Sequence, residues 1–328
     1  MARDIPVGNG ALLVNFDADY RLRDLYFPYV GQENQTAGHP CRFGFFVEGH
    51  FSWVGPEWRI SLDYNDDTLM THVRLSHEGL ALDVTCRDVV DFHENVLLRD
   101  VGIRNLAERP RLVKVFFSHD FHIGESEVGN TAFYDPQLKA VLHYRGPRYF
   151  LINVCAGERS GVDEWACGTK EFRGLEGTWR DAEDGRLACY PIAQGSVDST
   201  IAVTVAVEAR QTASFYYWIA AGTRYREVAV IDAVVRDKGP AELCNRTAHY
   251  WRAWLVQGQR TMPTLPAPLQ RLYARSLLVI RTQINHNGAV IAATDSDVLQ
   301  FGRDTYSYMW PRDGALTAVA LDLAGYGE

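Results

Sequence analysis

Strict alternation of apolar and polar side chains constrains this chain most, because a period of two puts every second residue on one face of a strand. In residues 199–207, Ile201, Val203, Val205 and Val207 point one way while Thr200, Ala202, Thr204 and Ala206 point the other. Leu80, Leu82, Val84 and Cys86 repeat the pattern against Ala81, Asp83 and Thr85, and Val113, Val115 and Phe117 do so again. Turn-forming clusters such as Asn65-Asp66-Asp67, Asp135-Pro136 and Gly146-Pro147 separate the runs, as antiparallel meanders require. The pattern has none of the regular strand–helix alternation that builds a parallel sheet. Many short half-buried strands over residues 1 to about 235 predict two large packed sheets, a sandwich larger than an immunoglobulin domain.

The period then changes. Residues 241–257, with Trp251, Trp254 and Leu255, predict an amphipathic helix, and Pro263, Pro266 and Pro268 punctuate the stretch beyond it. The two tryptophans, at helical spacing, are expected to pack this helix onto its neighbours rather than to stack on a polysaccharide. Leu269, Tyr273, Leu277, Ile280 and Ile284 fall three or four apart and predict a second helix that stops at Asn287-Gly288. A short extended piece, Ala289 to Ala293, leads through a loop with Asp295 and Asp297 to a third helix over Asp313–Ala324. That loop is expected to be a solvated connection rather than a cation or sugar site. Residues 1–238 thus read as a β domain, 239–264 as a helical linker and 265–328 as a helical segment too small to enclose its own core. Its apolar stripes should expose a patch open to self-association.

A net charge of −8, with 33 Lys and Arg scattered among 41 acids, argues against nucleic acid. No run approaches the ~18 apolar residues of a membrane helix, and the first residues lack a signal-peptide core, so a cytoplasmic location is expected. Cysteines 41, 86, 155, 167, 189 and 244 form no Cys-x-x-Cys pair and read as reduced, mostly buried thiols. His119-Asp120-Phe121-His122 offers two imidazoles, but at a strand end residues three apart face opposite sides. They read as structural histidines. No Gly-x-Ser-x-Gly elbow, Walker loop or dinucleotide fingerprint occurs, so neither a metal nor any other cofactor is expected.

Chemistry concentrates in Tyr306-Ser307-Tyr308-Met309-Trp310-Pro311-Arg312-Asp313-Gly314-Ala315. Aromatic faces beside a guanidinium and a carboxylate suit a sugar, whose C–H faces stack on rings while its hydroxyls need bidentate donors and charged acceptors. The plain alternative is an ion pair at a helix start, with Asp313 as N-cap.

Gly288-Ala289-Val290-Ile291-Ala292-Ala293, followed by Asp304-Thr305-Tyr306-Ser307-Tyr308-Met309-Trp310-Pro311-Arg312-Asp313, resembles the start of the catalytic barrel in glucoamylase-type enzymes, glycoside hydrolase family 15. Asp24-Leu25-Tyr26-Phe27-Pro28, Gly31-Gln32-Glu33-Asn34, Trp179 to Gly185 and Gln194-Gly195-Ser196-Val197-Asp198 look like blocks of the family's N-terminal β-supersandwich domain. The resemblance implies a mainly β chain: a large antiparallel two-sheet supersandwich, a helical linker, and the first helices of an incomplete (α/α)6 toroid. It further implies an inverting hydrolase acting on the non-reducing end of α-linked glucose oligosaccharides or polysaccharides. Arg312 and Asp313 would grip the terminal glucose, Trp310 would line the pocket and Tyr306 would sit beside the reacting centre. In the family the catalytic acid and base are glutamates of later helices. Glu328 does not match either, so the chain alone is expected to be inactive. Asp181, Glu183 and Asp184 lack calcium-loop spacing, with Ile192 where the closing Glu would stand, and read as a turn facing the catalytic domain. Two other readings are a maltose- or kojibiose-type phosphorylase and a non-catalytic carbohydrate-binding module.

Overall fold

The computed structural model describes residues 5–171, 173–259, 265–294, 296–302 and 305–327. Among the described residues there are nineteen strands. A small sheet comes first: β1 (Ile5–Gly8), β2 (Leu13–Phe16), β3 (Leu22–Tyr29) and β4 (Gln32–Asn34) pair in sequence order. Next come β5 (Arg42–Val47), β6 (His50–Trp53), β7 (Arg59–Ser61), β8 (Val73–His77), β9 (Leu82–Val90), β10 (Val96–Asn105) and β11 (Arg111–His119). The remainder are β12 (Asn130–Asp135), β13 (Ala140–Arg145), β14 (Arg148–Ala156), β15 (Arg159–Ser160), β16 (Glu164–Thr169), β17 (Ile192–Gly195), β18 (Val197–Val207) and β19 (Thr212–Gly222). A ten-stranded sheet has the order β17-β12-β13-β14-β19-β10-β9-β8-β7, with β15 beside β14, and a five-stranded sheet has the order β16-β18-β11-β5-β6.

The two larger sheets face each other, as the alternation predicts. Phe45, Val115 and Val203 of the five-stranded sheet meet Val84, Val101 and Phe215 of the ten-stranded one in a continuous core. Each fully buried side chain of this size contributes about 1.5–3 kcal/mol of transfer free energy. The small sheet, which the two-sheet expectation did not separate, joins the same core through Ile5, Val14, Phe16 and Leu25.

A helix stands where strand had been expected to continue. Residues Tyr225–Lys238 form α1, whose Val228, Ile231, Asp232 and Val235 face the outer side of the ten-stranded sheet. Their spacing of three, one and three is helical, and it overrides the β preference of a valine-rich run. Trp218 Nε1 and Asn153 Nδ2 each donate to Asp232 Oδ1 at 3.0 Å, and Arg236 Nη2 lies 2.8 Å from its Oδ2. The predicted linker helix is α2 (Pro240–Gln259). Leu243, Cys244 and Ala248 lie on the sheet beside α1, and Trp251 and Leu255 turn toward α3 (Ala267–Thr282). Trp254 stacks on Tyr326 with centroids 4.2 Å apart, so both tryptophans pack as expected. A short α4 (Asp297–Gly302) and α5 (Pro311–Leu323) complete the described helices. All six cysteines are unpaired, and four of them are buried.

At the centre, Asp88 of β9 stands opposite Arg99 of β10, with Arg99 Nε 2.6 Å from Asp88 Oδ1. Tyr20 and Thr71 hydroxyls also donate to Asp88, and the guanidinium lies 4.3 Å over the Tyr20 ring. Removing one partner of such a buried pair strands the other charge, which costs about 3–5 kcal/mol. Arg99→Met should therefore lower the urea unfolding free energy by that order, and adding Asp88→Asn should recover part of the loss. An Arg99→Met protein as stable as the parent would contradict this assignment.

Candidate sugar-gripping segment

The helical segment reaches the motif through a short ladder. After α3 the chain turns through Asn285 to Gly288, bridges Ile284 to Val290, and then pairs Ile291 with Met309. Ala292 N donates to Tyr308 O at 3.1 Å and Ala293 N to Tyr306 O at 3.2 Å. The expected extended piece is therefore one side of a two-stranded ribbon whose other side is the motif. Buried Ser307 faces inward and bonds the Thr305 hydroxyl at 2.9 Å, which turns its neighbours outward.

Of the four predicted site residues, Tyr306 and Trp310 are 54% and 47% exposed. Pro311 opens α5, where its fixed φ and missing N–H cost nothing. Trp310, not Asp313, is the N-cap residue, and it makes no side-chain cap bond. The plain alternative of Asp313 as N-cap does not hold: with Pro311 at the first helical position, Asp313 lies in the first turn, where its charge complements the helix dipole. Arg312 Nη2 lies 3.2 Å from Asp313 Oδ2, with the guanidinium largely exposed. Two aromatic faces and a loosely paired Arg–Asp couple project from one ribbon-to-helix junction.

Two seams position this junction. Val30 N donates to Asn285 Oδ1 at 3.1 Å, and Ile291 packs on Leu13 and Tyr26 of the small sheet and on Val30 in the β3–β4 turn. Gly31, at φ +83, comes so close that a Cβ would lie 2.5 Å from both Ile291 Cγ2 and Ser307 O. Farther along, Arg23 pairs with Asp297 at 3.0 Å, so the expected solvated loop is a docking point at that residue; Asp295 lies outside the described residues. Glu328 also lies outside them.

The segment 265–327 contains aspartates 295, 297, 304, 313 and 322 and no glutamate. The 3-10 helix Thr178–Asp184 packs on the outer face of the five-stranded sheet, through Ala182, on the side away from α1 and α2. Its Arg180 bridges Glu176 and Glu183.

The histidines separate as the strand period predicts. His119 Nε2 meets the Tyr217 hydroxyl at 2.8 Å inside the core, while His122 turns the other way. Sequence spacing missed the partners of His122, because His39 and Lys170 come from distant turns. His39 stacks on His122 with centroids 3.8 Å and planes 11° apart, and Lys170 Nζ contacts both Asp120 Oδ1 and His122 Nε2. His39, Asp120 and His122 are close enough to attract a cation. Yet the lone pairs of nearly parallel rings cannot converge on one ion, and the ammonium already supplies the charge. Burial opposes ionisation of Asp120, but His122 and Lys170 outweigh it and hold its carboxyl well below the usual range.

Neighbouring Asp198 is pushed up to about 7, first by burial and then by Asp120, against the Thr178 bonds and Lys170 that favour its charge. A carboxyl raised above its ordinary 3.8 binds its proton more tightly when folded. Its contribution to stability is therefore largest below about pH 4 and falls as pH rises to about 7, at about 1.4 kcal/mol per unit of pKa difference. Asp198→Asn should flatten this fall and be the more stable protein at pH 8. Equal slopes for variant and parent in urea unfolding between pH 5 and 8 would refute it.

No protein-family model matches the chain. Over 326 residues, 97% of its length, it is 24% identical to an uncharacterized glycosyl hydrolase of Methanocaldococcus jannaschii, of which it covers 50%. It superposes over 100% of its length on 49% of a bacterial glucoamylase solved in complex with acarbose, with a TM-score of 0.76 at 13% identity. The fold is thus shared with about half of that glucoamylase, and the chain spans about half the length of the curated relative it matches. A putative kojibiose phosphorylase from the human microbiome aligns over 75% of this chain and 35% of its own at 7% identity, with a TM-score of 0.45. Among the described residues no helix is long and apolar enough to cross a membrane.

Proposed function

We propose that the chain is the sandwich domain, helical linker and first barrel helices of a glucoamylase-type inverting glycoside hydrolase. Residues 1–238 form the sandwich domain in this reading, 239–264 the linker and 265–328 the start of an (α/α)6 catalytic domain. The carrying observation is the exposed wall of Tyr306, Trp310, Arg312 and Asp313 at the start of α5, in a fold shared with a glucoamylase. The similarity to a glycosyl hydrolase along nearly the whole chain supports the same class. Six free cysteines fit a reducing, cytoplasmic setting.

The wall's chemistry suits the non-reducing end of an α-glucoside. Arg312 can donate to two vicinal hydroxyls and Asp313 can accept from a third, while Trp310 and Tyr306 offer faces to the ring's C–H groups. These bonds tighten as the ring flattens toward an oxocarbenium-like state. Inversion also needs one carboxylic acid to protonate the leaving oxygen and one carboxylate, about 6.5–9.5 Å away, to activate water. In this reading both are glutamates outside the 328 residues, and the chain grips the sugar without cleaving it.

The test compares this chain with a polypeptide in which it is followed by the rest of a relative-length protein, on maltose, isomaltose and trehalose. The longer protein should release glucose without phosphate, and the chain alone should release none. Arg312→Ala should lower kcat/KM about 100-fold, and Arg312→Lys should restore little, because an ammonium lacks the rigid planar fork that fits two vicinal hydroxyls. Phosphate-dependent release of glucose 1-phosphate, or parental activity in Arg312→Ala, would overturn the proposal.

A further inference from the structure

A second site is suggested by the outer face of the ten-stranded sheet, on the part that α1 and α2 leave open. There β7, β8, β9, β10 and β19 line a groove of about 780 Å³, a size typical of ligand sites. Ladder register fixes its pattern. One row carries Arg59, Ser76, Asp83 and Arg104 on successive strands; the next carries Arg74, Thr85 and Gly102; the third carries Arg87, Asp100 and Tyr216. At about 4.8 Å per strand, Arg59 and Arg104 stand about 14 Å apart, on either side of Arg74.

The charge balance of this groove is the reverse of the whole molecule's. Four arginines face two aspartates here, in a chain whose net charge is −8. Arg87 is held by Asp100 at 2.7 Å, and that pair uses one of the two acids. Among the described residues no carboxylate lies within ion-pairing distance of Arg59, Arg74 or Arg104. Gly102 keeps the floor open, since the nearest atom to an added Cβ would be the Thr212 methyl at 3.8 Å. Ser61 and Thr85 flank Arg74 on the neighbouring strands, and Thr212 and Ser214 add hydroxyls from β19 at the groove's other side.

We propose that this groove binds an acidic oligosaccharide. Its carboxylate or sulfate groups would pair with Arg59, Arg74 and Arg104, and its hydroxyls would meet the serine and threonine side chains. Planar guanidiniums suit both oxyanions bidentately. The lining includes one aromatic, half-buried Tyr216, and so lacks the stacked aromatic platform that single-stranded nucleic acid uses. This site is separate from the Tyr306–Asp313 wall, and its occupancy does not depend on the hydrolase reading.

The experiment is calorimetric titration of the whole chain at low salt with trigalacturonate, a sulfated trisaccharide, neutral maltotriose, and a polyphosphate of matched charge. At least one acidic trisaccharide should bind, and which one binds identifies the oxyanion. The double variant Arg74→Gln/Arg104→Gln should raise its Kd at least tenfold, and Gly102→Leu should do the same by filling the floor with the charge intact. Neither should alter maltotriose binding, and both lie on the surface, so their unfolding midpoints should match the parent's. Three results would each overturn the proposal: no acidic trisaccharide binding, unchanged affinity in both variants, or polyphosphate binding as tightly as the acidic sugar.

Discussion

The segment carrying Tyr306 to Asp313 depends on a close approach of two backbones at Gly31. The β3–β4 turn enters the angle between Ile291 and Ser307, where a Cβ on residue 31 would lie 2.5 Å from each. Its φ of +83 is one that residues with side chains rarely adopt. Glycine thus serves twice, permitting the turn and permitting the contact. Around it, Asn285 accepts from Val30 N, and His286 N donates to Gly10 O at 2.9 Å. Arg275 donates to Thr68 O at 2.6 Å and lies 4.1 Å over Tyr64. The small sheet and the 64–68 turn therefore act as the base on which α3 and the ribbon of residues 289–293 and 306–309 are laid.

This division of labour explains why so large a β structure precedes so short a motif. Both inner faces of the sandwich are apolar, and a buried ion pair ties β9 to β10. Against that body, the ribbon needs only a few hydrogen bonds to hold Tyr306, Trp310 and the Arg312–Asp313 couple in fixed relation. The opposite side of the helical layer has no such support. Leu269, Leu272, Leu316, Val319 and Leu323 all present apolar surface to solvent. An exposed apolar stripe of this kind marks a contact surface.

Much of the fold was legible because period carries it. The alternation at Val113, Val115 and Phe117 and at Ile201 to Val207 marks β11 and β18, and the three-or-four spacing from Leu269 marks α3. Helix α1 was missed because its valines suit a strand locally, and only the register of Val228, Ile231 and Val235 on the sheet decides for helix. The motif was legible as chemistry, since aromatic, guanidinium and carboxylate groups crowd ten residues. Its support was not. Val30–Asn285 and Arg23–Asp297 meet across 255 and 274 residues and Asp120–Lys170 across 50, and local periodicity holds no record of such meetings.

A sandwich with an apolar core thus carries a helical layer whose outer apolar face is exposed among the described residues. Residue-resolved hydrogen exchange on a proven monomer distinguishes the two parts. Amides of α3 and α5 should exchange much faster than those of β10 and β19, because these helices lack packing on one side. Exchange in α3 and α5 as slow as in those strands would contradict the open layer.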